Sequence, residues 1–140
     1  MNLDEITHTI IGAAILVHRS LGIGLLESAY EECTSYELAS RGLMVERQKQ
    51  VPLIYKGVRM DCCYRLDMIV ERQVIVEFKC VESINRVHEA QMITYLKVTG
   101  LSVGLILNFH TPVLKDGIKR LVNGYKPQRP GVSAVKSAGD

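Results

Sequence analysis

The eight residues Val74-Ile75-Val76-Glu77-Phe78-Lys79-Cys80-Val81 set a carboxylate and an ammonium inside a run whose other members belong in a core. β-Branched and aromatic residues dominate the run, so it reads as a strand. Residues 60–70 (MDCCYRLDMIV) read the same way, and only Glu71-Arg72-Gln73 separates the two segments, which makes them a β-hairpin. Side chains alternate along a strand. Cys63, Arg65, Asp67 and Ile69 are therefore expected on one face of the first strand, and Ile75, Glu77, Lys79 and Val81 on one face of the second. A symmetric hairpin with its turn centred near Arg72 sets Asp67 opposite Glu77, so two carboxylates and an ammonium converge. Burying a lone carboxylate is costly or forces its pKa upward. Two carboxylates beside one lysine stay net negative, which suits a hard divalent cation: Mg²⁺ takes oxygen ligands and can polarise a phosphodiester. The simpler account of the same spacing is a structural ion pair, because D-x₉-E-x-K is a loose pattern.

The rest of the chain arranges itself around this hairpin. Asn2 and Glu5 resemble a capping box. Ile6, Ile10, Ala14, Val17 and Leu21 follow at helical spacing, which predicts a helix over 3–19 ended by Gly22 and Gly24. A second helix begins near Leu25, with Leu26, Ala29, Cys33 and Tyr36 as its apolar stripe and Gly42 as its stop. Residues 43–50 and 51–56 are strand-like, together one bent strand, with Pro52 marking an edge or a bulge. Residues 85–99 return to helical spacing and stop at Gly100, with Ala90, Ile93 and Leu96 as the core side. Residues 102–109 (SVGLILNF) suit a strand buried on both faces. Asp116-Gly117 is a turn signal before a short element, Ile118 to Val122. Residues 126–140 have no periodicity and read as a mildly basic disordered tail, which leaves 1–125 as one domain.

Composition excludes several classes. A chain of 140 residues buries roughly two-thirds of its unfolded surface and needs no disulfide or structural metal to fold. At 47% hydrophobic and 23% charged it is not disordered as a whole. No apolar run approaches a membrane span, and MNLDEITHT is acidic where a signal peptide would be basic, so the expectation is a cytoplasmic protein with no membrane partner. A net charge of +2 argues against a histone-like grip on nucleic acid. Cys33, Cys62, Cys63 and Cys80 form no C-x-x-C pair, and the four histidines lack H-x-x-x-H spacing, so the pattern speaks for apolar thiols over a zinc site.

Asp67 followed by Glu77-Phe78-Lys79 resembles the D…(D/E)-x-K signature of the PD-(D/E)XK nuclease superfamily, with Leu66 where that signature has proline. Gly24-Leu25-Leu26-Glu27-Ser28-Ala29-Tyr30 is similar to the G-x-x-E-x-x-Y motif that names the bacterial and archaeal GxxExxY family. ERQKQVPLIYKGVRM, YRLDMIVERQVIVEFK, HEAQMITYLKVTG and GLILNFHTPVLKDGIKRLVN resemble that family in the same order. The resemblance implies an α/β fold with a restriction-endonuclease-like core, αβββαβ, an extra N-terminal helix, and a mixed central sheet flanked by helices. It implies metal-dependent phosphodiester hydrolysis with Mg²⁺ or Mn²⁺, in which Asp67 and Glu77 hold the metal, assisted by the Phe78 carbonyl and Glu27. Lys79 falls at the catalytic lysine, and Gln91 and Tyr95 resemble the Q-x-x-x-Y helix motif of the exonuclease-like branch.

Arg65, Tyr30 and Gln48 complete the candidate set as substrate contacts, each with a plainer alternative. Arg65 can pair with Asp67 or Glu27, Tyr30 can be a packing residue, and Gln48 can lie on a wet strand face. Two functions remain in view. One is a nuclease acting on nucleic acid, DNA favoured over RNA, with a homodimer left open because one small domain grips a duplex poorly. The other is a catalytically weak module of the same fold that binds nucleic acid or a protein.

Overall fold

The computed structural model describes residues 1–123. Two helices, α1 (Leu3–Leu21) and α2 (Glu27–Ser40), lead into an antiparallel meander of β1 (Val45–Tyr55), β2 (Val58–Val70) and β3 (Val74–Lys79). Helix α3 (Arg86–Thr99) crosses over to β4 (Val103–Asn108), which runs parallel to β3; a 3₁₀ turn (Leu114–Gly117) then leads to antiparallel β5 (Ile118–Val122). The five strands lie in the order β1-β2-β3-β4-β5. This is the α/β, restriction-endonuclease-like architecture that the family resemblance implies, with the mixed sheet between α1 and α2 on one face and α3 on the other. Among the described residues no helix is long and apolar enough to cross a membrane. The tail expected over 126–140 lies outside the described residues.

Local chemistry explains the element boundaries. Asn2 Oδ1 accepts from the Glu5 amide and Glu5 Oε1 accepts from the Asn2 amide, both at 2.8 Å, so the predicted capping box starts α1. Helix α3 starts on a similar box, in which His88 Nδ1 accepts from the Asn85 amide at 3.1 Å, and it ends on Gly100 at φ 77°. Strand β4 is buried along its whole length, as its apolar run predicts: Val103, Leu105 and Leu107 meet α1 and α2, and Ile106 meets α3. A side chain at Gly104 would collide with Met92, so this glycine sets how closely α3 sits on the sheet.

Two apolar stripes differ from expectation. In α2 the buried residues are Tyr30, Glu31, Thr34 and Leu38, while Leu26 and Tyr36 are 78% and 71% exposed. The helix begins at Glu27, and the inward face is fixed by Tyr30, whose ring stacks on Phe109 at 4.3 Å. Polar residues occupy that inward face, which is why hydrophobicity alone pointed elsewhere. In α3 the core side is Met92, Tyr95 and Leu96, and Ala90 is exposed, because the space above Gly104 selects Met92 and Tyr64 meets Tyr95 edge-on at 6.0 Å.

The hairpin turn is built without glycine. Glu71 and Arg72 sit at φ 54° and 55°, a pair of left-handed residues, and the Gln73 amide donates to the Val70 carbonyl at 2.9 Å. Glu71 is held there from outside: its amide donates to the Met44 carbonyl at 2.8 Å and its Oε2 accepts from the Met44 amide at 2.6 Å. Arg72 has only a 3.6 Å ion pair to Glu46 from a side chain 75% exposed. Left-handed backbone costs a non-glycine residue about 1–2 kcal/mol. Arg72→Gly should therefore stabilise the protein by about 1 kcal/mol, read as a higher midpoint in urea with an unchanged slope; a lower midpoint would show that the Glu46 pair outweighs the backbone strain.

Candidate active site

The β2–β3 ladder runs from Val70↔Val74 to Met68↔Val76 and stops there. The next positions opposite each other are Asp67 and Glu77, and side chains replace main chain. The Asp67 amide donates to Glu77 Oε2 at 2.9 Å, and the Phe78 amide donates to Asp67 Oδ2 at 2.9 Å. Each carboxylate therefore satisfies the backbone of the strand opposite, across a notch where the two strands part. The notch sits at the carboxyl end of parallel β3 and β4, where α/β sheets commonly place ligand sites. Within a strand the N–H and C=O of one residue point to the same edge. Lys79 C=O accepts from the Phe109 amide toward β4, so Phe78 N–H and C=O face the notch.

Electrostatics follow from this burial. Glu77 is 6% exposed, and burial, then the charge of Asp67, pushes its carboxyl up to about 8. Asp67 is also raised, first by burial and then by Glu31, against the pull of the Phe78 amide and Lys79. The lysine carries charge to both carboxylates but is in no ion pair among the described residues. Tyr95, 6% exposed, approaches the notch from α3: burial, then Glu77 and Asp67, push its hydroxyl up to about 12, while Gln91 hydrogen-bonds it. Tyr95 therefore stays a neutral hydrogen-bond donor beside two acids.

The remaining candidates separate. Glu27 opens α2 and its Oε2 accepts from the Cys80 amide at 3.2 Å, one residue past Lys79. Its charge acts on Asp67, but its carboxylate is directed to the backbone leaving β3. Burial, then Glu27, raises the Cys80 thiol, so Cys80 is no activated nucleophile. Tyr30 is fully buried: its hydroxyl donates to the Gly22 carbonyl at 2.6 Å and accepts from the Leu25 amide at 3.2 Å. That geometry corrects the substrate-contact expectation, because both hydroxyl bonds are spent closing the loop before Glu27. Gln48, at φ 51°, donates to Glu31 Oε1 at 2.9 Å and is a second-rank neighbour of the acids through that residue.

Arg65 does not share a face with Ile69, which corrects the simple alternation. Tyr64 and Leu66 pack with Ile69 and Ile75 on the α3 side, so the period of two slips between Leu66 and Ile69, at the position of Asp67 itself. Arg65 projects from the opposite side, exposed, and joins no ion pair with Asp67 or Glu27. Glu31 is the site residue that the sequence reading missed. It is 4% exposed, is held by Arg47 Nε at 2.9 Å and by Gln48, and acts on Asp67. Its only sequence signal was a charged residue on what proves to be the buried face of α2.

Chemically, the notch offers two adjacent hard-oxygen side chains and a carbonyl edge, with Lys79 and a phenol alongside. That donor set fits Mg²⁺ or Mn²⁺ completed by water, and it lacks the sulfur and imidazole that zinc favours. Among the described residues no three His, Cys, Asp or Glu side chains gather as a ready-made cage, so the fit rests on the Asp67–Glu77 pair. A mixed sheet with these groups on its central hairpin defines a nuclease-type fold. The chain belongs to the PD-(D/E)XK nuclease superfamily, whose family model matches residues 4–121. No curated protein and no solved structure matches it.

The raised Glu77 carboxyl has a stability consequence for metal-free protein. Between its ordinary 4.5 and about 8, the folded chain holds a proton that the unfolded chain has lost. Stability therefore falls as pH rises through that window and levels off above it. Glu77→Gln removes the titration and keeps an oxygen for the Asp67 amide. In EDTA its melting temperature should exceed wild type by several degrees above pH 8, on the order of a few kcal/mol, with the gap closing toward pH 5. A pH-independent gap would show that Glu77 is not buried in charged form.

Proposed function

We propose that the protein is a metal-dependent nuclease that hydrolyses phosphodiester bonds, with DNA favoured over RNA. The observation that carries this reading is the reciprocal bridge of Asp67 and Glu77 across the strand notch, with Lys79 following on the same strand. Asp67, Glu77 and the Phe78 carbonyl would hold Mg²⁺ or Mn²⁺, with Glu27 near enough to act on Asp67 by charge. The cation supplies Lewis acidity toward the phosphate and lowers the pKa of water. Lys79, as an ammonium, positions the attacking water and offsets charge on the phosphate oxygens. Water adds to phosphorus, the bond to the leaving sugar oxygen breaks, and the proton from water ends on that oxygen. Tyr95, fixed by Gln91, donates a hydrogen bond toward the acids or the phosphate and helps exclude bulk water.

Within the superfamily we assign the chain to the GxxExxY family, because Gly24, Glu27 and Tyr30 form one structural unit rather than a chance string: a turn glycine at φ 103°, a clamp on the exit of β3, and the tie that closes the loop. A reducing, cytoplasmic setting agrees with Cys33, Cys62, Cys63 and Cys80 all being free thiols. A second reading, a nuclease-fold module that binds without cutting, is favoured by one feature: Glu27 is engaged by the Cys80 amide, leaving two carboxylates at the notch.

Asp67→Ala and Lys79→Ala should each lower Mn²⁺-dependent cleavage of labelled DNA by at least ~10²–10³-fold, with circular dichroism and melting showing folded protein. Calorimetry should register Mn²⁺ binding to wild type and none to Glu77→Ala. Equal cleavage by wild type and both variants would place any activity elsewhere, and Mn²⁺ binding without cleavage would leave the binding module.

A further inference from the structure

We propose that the outer β1–β2 hairpin is a nucleic-acid arm that grips the phosphodiester backbone on one side of the cleaved bond. The proposal rests on the nuclease reading for its partner. Its own observations are the length, charge and lack of packing of this hairpin.

Strands β1 and β2 are 11 and 13 residues long, whereas β3 and β4 have 6 each. Val51 and Tyr64, partners in the ladder, are the last pair to touch the α3 cluster. Beyond them Ile54, Tyr55 and Val58 are 56%, 59% and 56% exposed. A two-stranded ribbon is marginal in water and gains no core here, so its extension is not a packing device. The register shifts between Pro52↔Cys63 and Ile54↔Arg59, leaving Met60, Asp61 and Cys62 opposite Leu53. Such a bulge bends the ribbon and re-aims its tip.

The charge is one-sided. From residue 49 to 65 the ribbon carries Lys49, Lys56, Arg59 and Arg65 against Asp61, and with Lys49 paired to Glu46 at 3.2 Å its net charge is +2. Lys56, Arg59 and Arg65 join no ion pair among the described residues. Lys56 Nζ lies 5.5 Å over the Tyr55 ring, which sets an ammonium and an aromatic surface together at the tip. The ribbon is continuous with the site, since Arg65 is two residues from Asp67 on β2. Arg59 pairs with Ile54 and Leu66 with Lys49, so the tip lies five residues of β1, about 17 Å, beyond the neighbour of Asp67, which spans roughly five steps of a duplex. An acidic notch that needs a cation thus leads directly into a basic ribbon of nucleic-acid length. A second copy of the chain, equally basic here, would meet like charge on this ribbon.

The test uses the full chain in EDTA, so that binding is read without cleavage, and labelled duplex DNA of about 30 base pairs, longer than the reach of the arm. Lys56→Gln/Arg59→Gln should weaken binding about tenfold at low salt and flatten the dependence of log K on log salt by about 2. Lys97→Gln/Lys115→Gln, exposed cations off the ribbon, should leave both unchanged. Single-stranded DNA and an RNA duplex run alongside tell which backbone the arm prefers. No binding by wild type, or equal loss in the two double variants, overturns the arm. So does a sedimentation shift to dimer that disappears with the arm variant while DNA binding does not. The two readings fail separately: arm-dependent binding without Mn²⁺-dependent cleavage removes the nuclease and keeps the arm, and cleavage abolished by Asp67→Ala with an unchanged salt slope removes the arm and keeps the nuclease.

Discussion

Everything at the centre of this molecule depends on two carboxylates doing the work of a missing rung. The β2–β3 ladder ends at Met68↔Val76, yet the chain continues on both strands with amides that must be satisfied away from water. Asp67 and Glu77 each answer the amide across the gap. The exchange fixes the separation of the strands, and it brings two acids together where burial opposes their charge. Neither acid can be removed without leaving a buried N–H unpaired. Neither can be fully ionised without positive charge nearby. Structure and chemistry here are one constraint: the wedge that opens the sheet is also the donor pair that suits a cation.

Most of the frame was legible because it is written in local rules. The capping box at Asn2 and Glu5, the stop at Gly100 and the doubly buried run of β4 depend on neighbours in sequence or on total hydrophobicity. The opposition of Asp67 and Glu77 followed from hairpin symmetry. Legibility failed where a residue's place is set by distant partners. The sequence left Tyr30 as either a substrate contact or a packing residue, and packing holds because Phe109 draws its ring inward and Gly22 takes its hydroxyl. Glu31 was invisible because a charged residue on a buried helix face makes sense only once Arg47 and Gln48 arrive from β1. Arg65 was misplaced because period-two reasoning assumes a regular strand, and the irregularity falls at Asp67, one of the two acids of the notch.

The near-neutral charge of the chain conceals a strong internal division. Asp67, Glu77, Glu31 and Glu27 crowd one end of the hairpin, and the cations of the outer ribbon occupy the other. The +2 of the whole chain, summed over 17 cations and 15 acids, shows neither end. Net charge alone therefore says little about what either end can bind.

The G-x-x-E-x-x-Y segment can be read in the same physical terms. Gly24, at φ 103°, turns the chain between α1 and α2 where a side chain would be strained. Tyr30 reaches back one turn of α2 to hold Gly22 and Leu25, so the loop cannot drift. With the loop fixed, Glu27 is delivered to the Cys80 amide, next to Lys79. Asn108 secures the other side of the same exit, accepting from the Val81 amide at 3.1 Å and donating to the Val81 carbonyl at 2.9 Å. The lysine is thus the free member of a strand end whose backbone is clamped on both flanks. Gly24 and Tyr30 set where Glu27 meets the strand exit beside Lys79.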